Sequence, residues 1–185
     1  MTEYLNDILN TATHEAGHAV IGRVLGLSCG SATIIANEAE GEAGHAIVHD
    51  PWKTMSDWER PFQEAFERRA ALNGSLCLGD LAGVKLRNAR SAFRGTILAR
   101  MAGAEAENVI LGVCQGGDGR DRHEIEMLAE SDAEIPEEAW ARYEPRMRRQ
   151  TRRLIRKHRA KIERVAAALL ERGELSADEI DALME

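Results

Sequence analysis

Apolar residues recur every three or four positions over residues 3–26, which predicts an amphipathic helix. The repeating positions are Leu5, Ile8, Leu9, Ala12, Ala16, Ala19, Val20 and Val24. Gly26 is placed to end this helix, because glycine adopts the conformation of a C-terminal cap without strain. Two short β-prone runs follow, SATIIA at 31–36 and GHAIVH at 44–49, and the Glu- and Gly-rich stretch between them predicts a hairpin.

Helical patterns dominate the middle of the chain. Aromatic residues spaced four apart predict a helix over 56–72. A longer helix is expected at 89–111, with apolar residues on one face and Gly112 at its end. The turn GGDG at 116–119 opens another helix over about 121–131.

The C-terminal part of the chain is also predicted to be helical. Pro136 and the two glutamates after it are typical of a first helical turn, and this helix continues to about residue 172. We expect Pro145 to kink or interrupt it, because proline has no backbone N–H to donate. Ser176 and Glu179 have the spacing of a capping box for a short last helix. The fold class predicted is mainly α with a small β-sheet, an α+β fold.

Composition narrows the class of protein. The chain has 185 residues, of which 44% are hydrophobic and 30% charged, as in an ordinary soluble globular domain. Its net charge of −7 argues against bulk binding of nucleic acid. No long apolar run predicts a membrane span, and the N-terminus lacks a signal pattern. Cys29, Cys77 and Cys114 are odd in number and far apart, which is typical of reduced thiols, so we expect a cytoplasmic protein.

His14, Glu15 and His18 form an HExxH motif on the predicted first helix. Two histidines four residues apart lie on one helical face, so both imidazoles can bind a single Zn²⁺. Glu15 can then act as the general base that takes a proton from water during attack on a peptide carbonyl. The alternative is a chance coincidence of two histidines on an ordinary helix, and the amphipathic context favours the zinc site.

The spacing of residues in the sequence does not by itself identify the third zinc ligand. A catalytic zinc normally has three protein ligands and one water, but no histidine follows His18 at the short spacing of metzincins. The candidates are His45, His49, Glu105, Glu107, Asp118, Asp121 and His123. For His45 and His49 a surface or packing role is favoured, because a strand does not provide the geometry of HExxH.

The segment HEAGHAVIGRVLG, followed by SATIIA, resembles the peptidase domain of the membrane-anchored AAA+ zinc proteases of the FtsH type. In that family a later helix carries a GR-x-AE-E pattern, which residues 103–112 resemble. A TTGASND-like turn then supplies the third ligand, and residues 115–121 are similar to it. Aligned without gaps, Gly117 falls on the family glycine and Asp121 on the ligand. The alternative for Asp121 is an aspartate stabilised by the helix dipole.

The same resemblance places Glu107 on a family glutamate that can orient a zinc-binding histidine. The alternative for Glu107 is a carboxylate that faces solvent. The family arginine is replaced by Ala104, and residues 52–88 match nothing in the pattern. No GxxxxGK[ST] phosphate-binding motif occurs in the sequence, so we expect a peptidase unit without an ATPase module.

Over about residues 11–183, the resemblance implies a metalloendopeptidase that uses zinc to hydrolyse unfolded or flexible polypeptides. It also implies that the substrate lies extended beside the 31–36 strand, and that a separate ATPase is a candidate partner. One domain is expected over 1–185, with the zinc-site core at 1–134 and C-terminal helices at 135–185. The competing hypothesis is a non-catalytic zinc protein that binds peptides or a partner, but a structural site has no need of Glu15.

Charge is distributed unevenly near the C-terminus. Residues 146–161 contain nine Lys or Arg and no acid, whereas residues 130–144 contain six acids. A basic helix can contact nucleic-acid phosphates or anionic lipid. Apolar residues at helical spacing nevertheless predict that one face packs. We favour a solvated helix that pairs with the acidic segment or a neighbouring subunit, so we expect a homo-oligomer and no nucleic-acid partner.

Overall fold

The computed structural model describes residues 2–36, 43–49, 84–114, 118–130 and 137–185. The helix expected at 56–72 therefore lies outside the described residues. The elements, in chain order, are α1 (Thr2–Val24), β1 (Cys29–Thr33), β2 (His45–Val48), α2 (Val84–Ala106), α3 (Gly119–Glu130), α4 (Glu137–Arg172), β3 (Glu174–Leu175) and α5 (Ala177–Leu183). The described part is thus mainly helical with one small antiparallel sheet, which confirms the α+β prediction.

The sheet has the strand order β2-β1-β3, so β1 is its central strand. The two predicted strands pair antiparallel as expected, with Ala32 opposite Ala46, but β1 begins and ends earlier than the predicted run at 31–36. On its other side, Ala32 lies opposite Leu175 of β3. The expectation that substrate pairs with the 31–36 segment is therefore wrong, because Thr33 already has a strand partner on each side.

Helix boundaries follow local glycine and capping signals. Gly26 and Gly112 both have positive φ angles, 73° and 79°, and each follows the end of a helix as predicted. The predicted helix at 89–111 begins earlier, at Val84, and its last five residues, Glu107–Leu111, form a π-helical turn. Ser176 accepts a hydrogen bond from the backbone N–H of Glu179, which confirms the capping box of α5.

The long helix α4 runs through Pro145 without interruption, so the expectation of a break at this residue is wrong. Pro145 has no backbone N–H, so the carbonyl of Ala141, four residues earlier, has no helical hydrogen-bond partner. Both residues are exposed, and water can bind this carbonyl. The backbone departs from helical geometry farther along, at His158, where φ is −109° and ψ is 17°. The sequence carries no proline or glycine signal at that position.

The hydrophobic core lies where α2 and α4 pack against α1. Small residues of α1 are fully buried there, and the larger Ile155 and Ile162 of α4 join the same cluster. A Cβ atom on Gly17 would lie 2.6 Å from the carbonyl oxygen of Ala102, so the backbones of α1 and α2 are nearly in contact. This close approach brings residues of α2 beside the HExxH motif. No helix in the described part of the chain is long and apolar enough to cross a membrane.

The basic segment of α4 has two different faces. Arg148 and Arg152 turn inward and bind the buried carboxylate of Glu105, with N–O distances of 3.2 and 2.5 Å. The outward face is exposed and carries Arg146, Arg149, Arg153 and Arg156. Glu144 of the acidic segment pairs with Arg148 at 2.8 Å, one turn along the same helix. Residues 131–136 lie outside the described residues, so further pairing of the acidic segment and the expected homo-oligomer stay predictions.

Candidate metal centre

Helix α1 places His14 and His18 side by side on its buried face. Their rings lie edge to face, with ring centres 4.7 Å apart and ring planes at 74°. The side chain of His18 is 3% exposed and that of His14 is 12% exposed. Ala12, Ala16 and Ala19, on the same helix, are fully buried. Because these neighbours are small, α2 can pack directly against this part of α1.

Asp121, in the first turn of α3, lies beside the two histidines. His14, His18 and Asp121 together form the candidate metal-binding group. The Oδ2 atom of Asp121 lies 3.1 Å from Nε2 of His14 and 2.9 Å from Nε2 of His18. One donor atom from each of the three residues lies within 4.8 Å of the other two. Two imidazole nitrogens and one carboxylate oxygen are a donor set that suits a divalent metal such as zinc.

The remaining nitrogen of each ring is held by α2 or by the π turn that follows it. Nδ1 of His14 lies 2.6 Å from Oε1 of Glu107, and Nδ1 of His18 donates to the carbonyl oxygen of Ala99 at 2.7 Å. A carbonyl oxygen can only accept, so Nδ1 of His18 is the donor in this contact and Nε2 is the nitrogen available to a metal ion. Both rings are thereby turned so that Nε2 faces Asp121.

Gly103 provides the space for these two rings. A Cβ atom at this position would lie 2.5 Å from Nε2 of His18 and closer still to Nε2 of His14. Any side chain would therefore displace one ring or both. Gly103 thus has a steric role at the site that periodicity could not reveal.

Electrostatics in the group favour a carboxylate that stays ionised. Burial acts to raise the pKa of Asp121, but His18 and His14 hold that pKa well below its usual range. Burial acts to lower the pKa of His14, yet hydrogen bonds to Asp121 and Glu107 outweigh it and raise the pKa to about 10. A metal ion bound here competes with the proton of His14.

Glu15 lies close to the group without belonging to it. The side chain is buried, and burial raises the pKa of Glu15, while the charges of His18 and His14 oppose that rise. A buried carboxylate beside a cluster of ligand-type residues is suited to accept a proton. The role of Glu15 as the base stays a prediction.

Of the other candidate ligands, Glu107 contacts His14 from behind, and the rest do not join the three residues. Glu105 is bound by Arg148 and Arg152, and Asp118 accepts from Nε of Arg122 at 2.8 Å. His45, His49 and His123 do not join the group. Among the residues that the structure describes, His14, His18 and Asp121 are the one set of three or more His, Cys, Asp or Glu that can hold a metal ion.

Two further features of the surroundings could not be predicted from the sequence. The carbonyl of Ala99 contacts His18, and the side chain of Arg100 lies 3.9 Å from Asp121. A backbone carbonyl leaves no signal in the sequence. An arginine on a helix is too common to attract attention until its neighbours are known.

Comparisons with known proteins found no matching family model and no matching curated protein. The resemblance to FtsH-type peptidases therefore rests on the motifs quoted above. The case for function depends on the geometry of the group and on the chemistry of its donors.

Glu107→Gln is expected to weaken zinc binding about tenfold, because a neutral amide holds the His14 ring less firmly than a carboxylate and makes it a poorer donor. Competition with a chromophoric chelator measures the affinity. Glu126→Gln, an exposed change on α3, is the control and should bind zinc as the wild type does. Equal affinity of the Glu107 variant and the wild type would show that Glu107 does not support the ligand.

Proposed function

We propose that the protein is a zinc-dependent metalloendopeptidase that hydrolyses peptide bonds of unfolded or flexible polypeptides. One observation carries the proposal: Oδ2 of Asp121 faces Nε2 of both His14 and His18, and the buried Glu15 stands beside this group. Three protein ligands with one position left for water are typical of catalytic zinc, and structural zinc normally has four.

Each residue of the candidate site has a separate role in the proposed hydrolysis. Bound by His14, His18 and Asp121, zinc would act as a Lewis acid that polarises the peptide carbonyl and acidifies water. Glu15 takes the proton of the attacking water and then gives it to the leaving amine. Glu107 and the Ala99 carbonyl keep the two rings oriented through both proton transfers.

The proposed substrate class follows from the free energy that is needed to unfold a substrate, which peptide hydrolysis does not supply. A folded domain is stable by about 5–15 kcal/mol, and binding of zinc and water supplies no work to unfold it. The sequence given has no GxxxxGK[ST] motif with which it could use ATP. We therefore propose that it cleaves chains that are already open, or chains that a separate ATPase partner has opened.

Metal analysis combined with digestion tests this function. We expect about one zinc per chain, slow cleavage of unfolded casein, and loss of cleavage on removal of zinc with a chelator. One substrate protein in folded and destabilised forms should be cut only when destabilised. Zinc without any cleavage would favour the non-catalytic, partner-binding alternative, and equal cleavage of both forms would contradict the substrate class.

A further inference from the structure

Arg100 joins three elements beside the candidate metal centre. It lies on α2 with its side chain 19% exposed, and one terminal nitrogen is 3.9 Å from Oδ1 of Asp121. Its Nε is 2.7 Å from Oε2 of Glu124, although the N–H bond does not point at that oxygen, so this contact is an ion pair. Its other terminal nitrogen donates to the carbonyl oxygen of Val48 at 3.3 Å.

The two oxygens of Asp121 consequently have different surroundings. Oδ2 faces the two histidines, whereas Oδ1 faces the guanidinium of Arg100. Rotation of the carboxylate would take Oδ1 away from this positive charge. Attraction between opposite charges in a largely buried site opposes that rotation.

We propose that Arg100 is a positioning residue that makes Asp121 present a single oxygen, Oδ2, to the metal ion. This inference rests on the proposed function, since it concerns the same centre. A carboxylate that binds through one oxygen occupies one coordination position and leaves room for water and the substrate carbonyl. Arg100 acts through Asp121 and does not itself touch the metal.

The chemistry of the contacts favours arginine over lysine. A planar guanidinium reaches Asp121, Glu124 and the Val48 carbonyl in three directions at once, whereas an ammonium group is a compact point charge. These contacts tie α3, which carries the third ligand, to α2 and to strand β2. The position of Asp121 is thereby fixed relative to both histidines.

A purely electrostatic role makes the opposite prediction. The positive charge of Arg100 repels a metal cation, so removing it would strengthen metal binding if charge were its whole effect. Glu124 balances part of that charge at 2.7 Å, which reduces the repulsion. The positioning role instead predicts weaker binding when the guanidinium is removed.

Zinc affinity and the visible spectrum of the cobalt(II)-substituted protein test the proposal. Arg100→Gln and Arg100→Lys are each expected to weaken zinc binding about tenfold. Both should also lower the intensity of the cobalt bands, since a carboxylate that binds through two oxygens raises the coordination number. Arg120→Gln is the matched control, because Arg120 also contacts Glu124, at 3.2 Å, and it should change neither measurement.

A double-mutant cycle with Asp121→Asn separates positioning from a general effect on the fold. In the Asp121→Asn background, Arg100→Gln should have almost no further effect on zinc affinity. An equal loss in both backgrounds, or unchanged or tighter binding in the single variants, would overturn the proposal. Binding is measured without hydrolysis, so an inactive wild type that binds zinc would contradict the peptidase function and leave this inference standing. A wild type that binds neither metal would overturn both.

Discussion

Replacing Glu15 with glutamine is expected to reduce peptide hydrolysis by about 10²- to 10⁴-fold, the range that general acid–base catalysis contributes. Glutamine has nearly the same size and can still accept a hydrogen bond, but it cannot take a proton from water at neutral pH. His14, His18 and Asp121 are unchanged in this variant, so it should still bind zinc. The expected result is a variant that binds zinc but no longer hydrolyses peptides at a significant rate.

Zinc content by mass spectrometry and the digestion rate of unfolded casein, measured on the same sample, test this expectation. Glu171→Gln, an exposed change of the same kind on α4, is the matched control and should keep full activity. Cleavage by the Glu15 variant at the wild-type rate would show that another group supplies the base. Loss of zinc together with activity would show that Glu15 supports the site and leave its role as base without evidence.

Local signals account for much of the fold. The three-to-four periodicity of α1 and the positive-φ glycines Gly26 and Gly112 could be predicted, because each depends on a few neighbouring residues. The capping box at Ser176 is local in the same sense. The HExxH motif belongs to this group, since a helix alone fixes the relation between His14 and His18.

Features that depend on tertiary contacts were not predictable. Strand β3 is two residues long, and it exists because Glu174–Leu175 pairs with β1. The π turn at Glu107–Leu111 carries no recognisable signal, yet it begins at the residue that contacts His14. π-helical turns often mark functional sites, because the extra residue redirects a side chain.

The candidate site, like the fold, has a part that could be predicted from local sequence and a part that depends on tertiary contacts. Spacing left seven residues open as the third ligand, since Asp121 is separated from His14 by 107 positions and only packing brings them together. The resemblance to FtsH-type peptidases selected Asp121 and suggested Glu107. It gave no indication of Arg100, which is recognised only when α2, α3 and β2 are seen together.

Gly103→Ala is expected to weaken zinc binding on the order of 100-fold, the upper end of the range for residues that orient metal ligands. The new methyl group would overlap Nε2 of both His14 and His18, the two atoms that face Asp121. At least one ring must then turn away from its ligand position. In the middle of a helix, alanine is also more favourable than glycine by about 1 kcal/mol, which offsets part of the strain in the folded protein.

Gly95→Ala, two turns earlier on α2, separates the steric effect from the change in helix propensity. A Cβ atom at Gly95 would lie 3.3 Å from the flexible end of Leu27, so this variant should bind zinc normally and unfold at an equal or higher temperature. Chelator competition and thermal unfolding on both variants give the comparison. If Gly103→Ala binds zinc within twofold of the wild type, the two rings can move without losing the metal, and close packing of α1 against α2 does not set the geometry of the centre. A large loss confined to Gly103→Ala would show that the contact between these helices is part of the metal site itself.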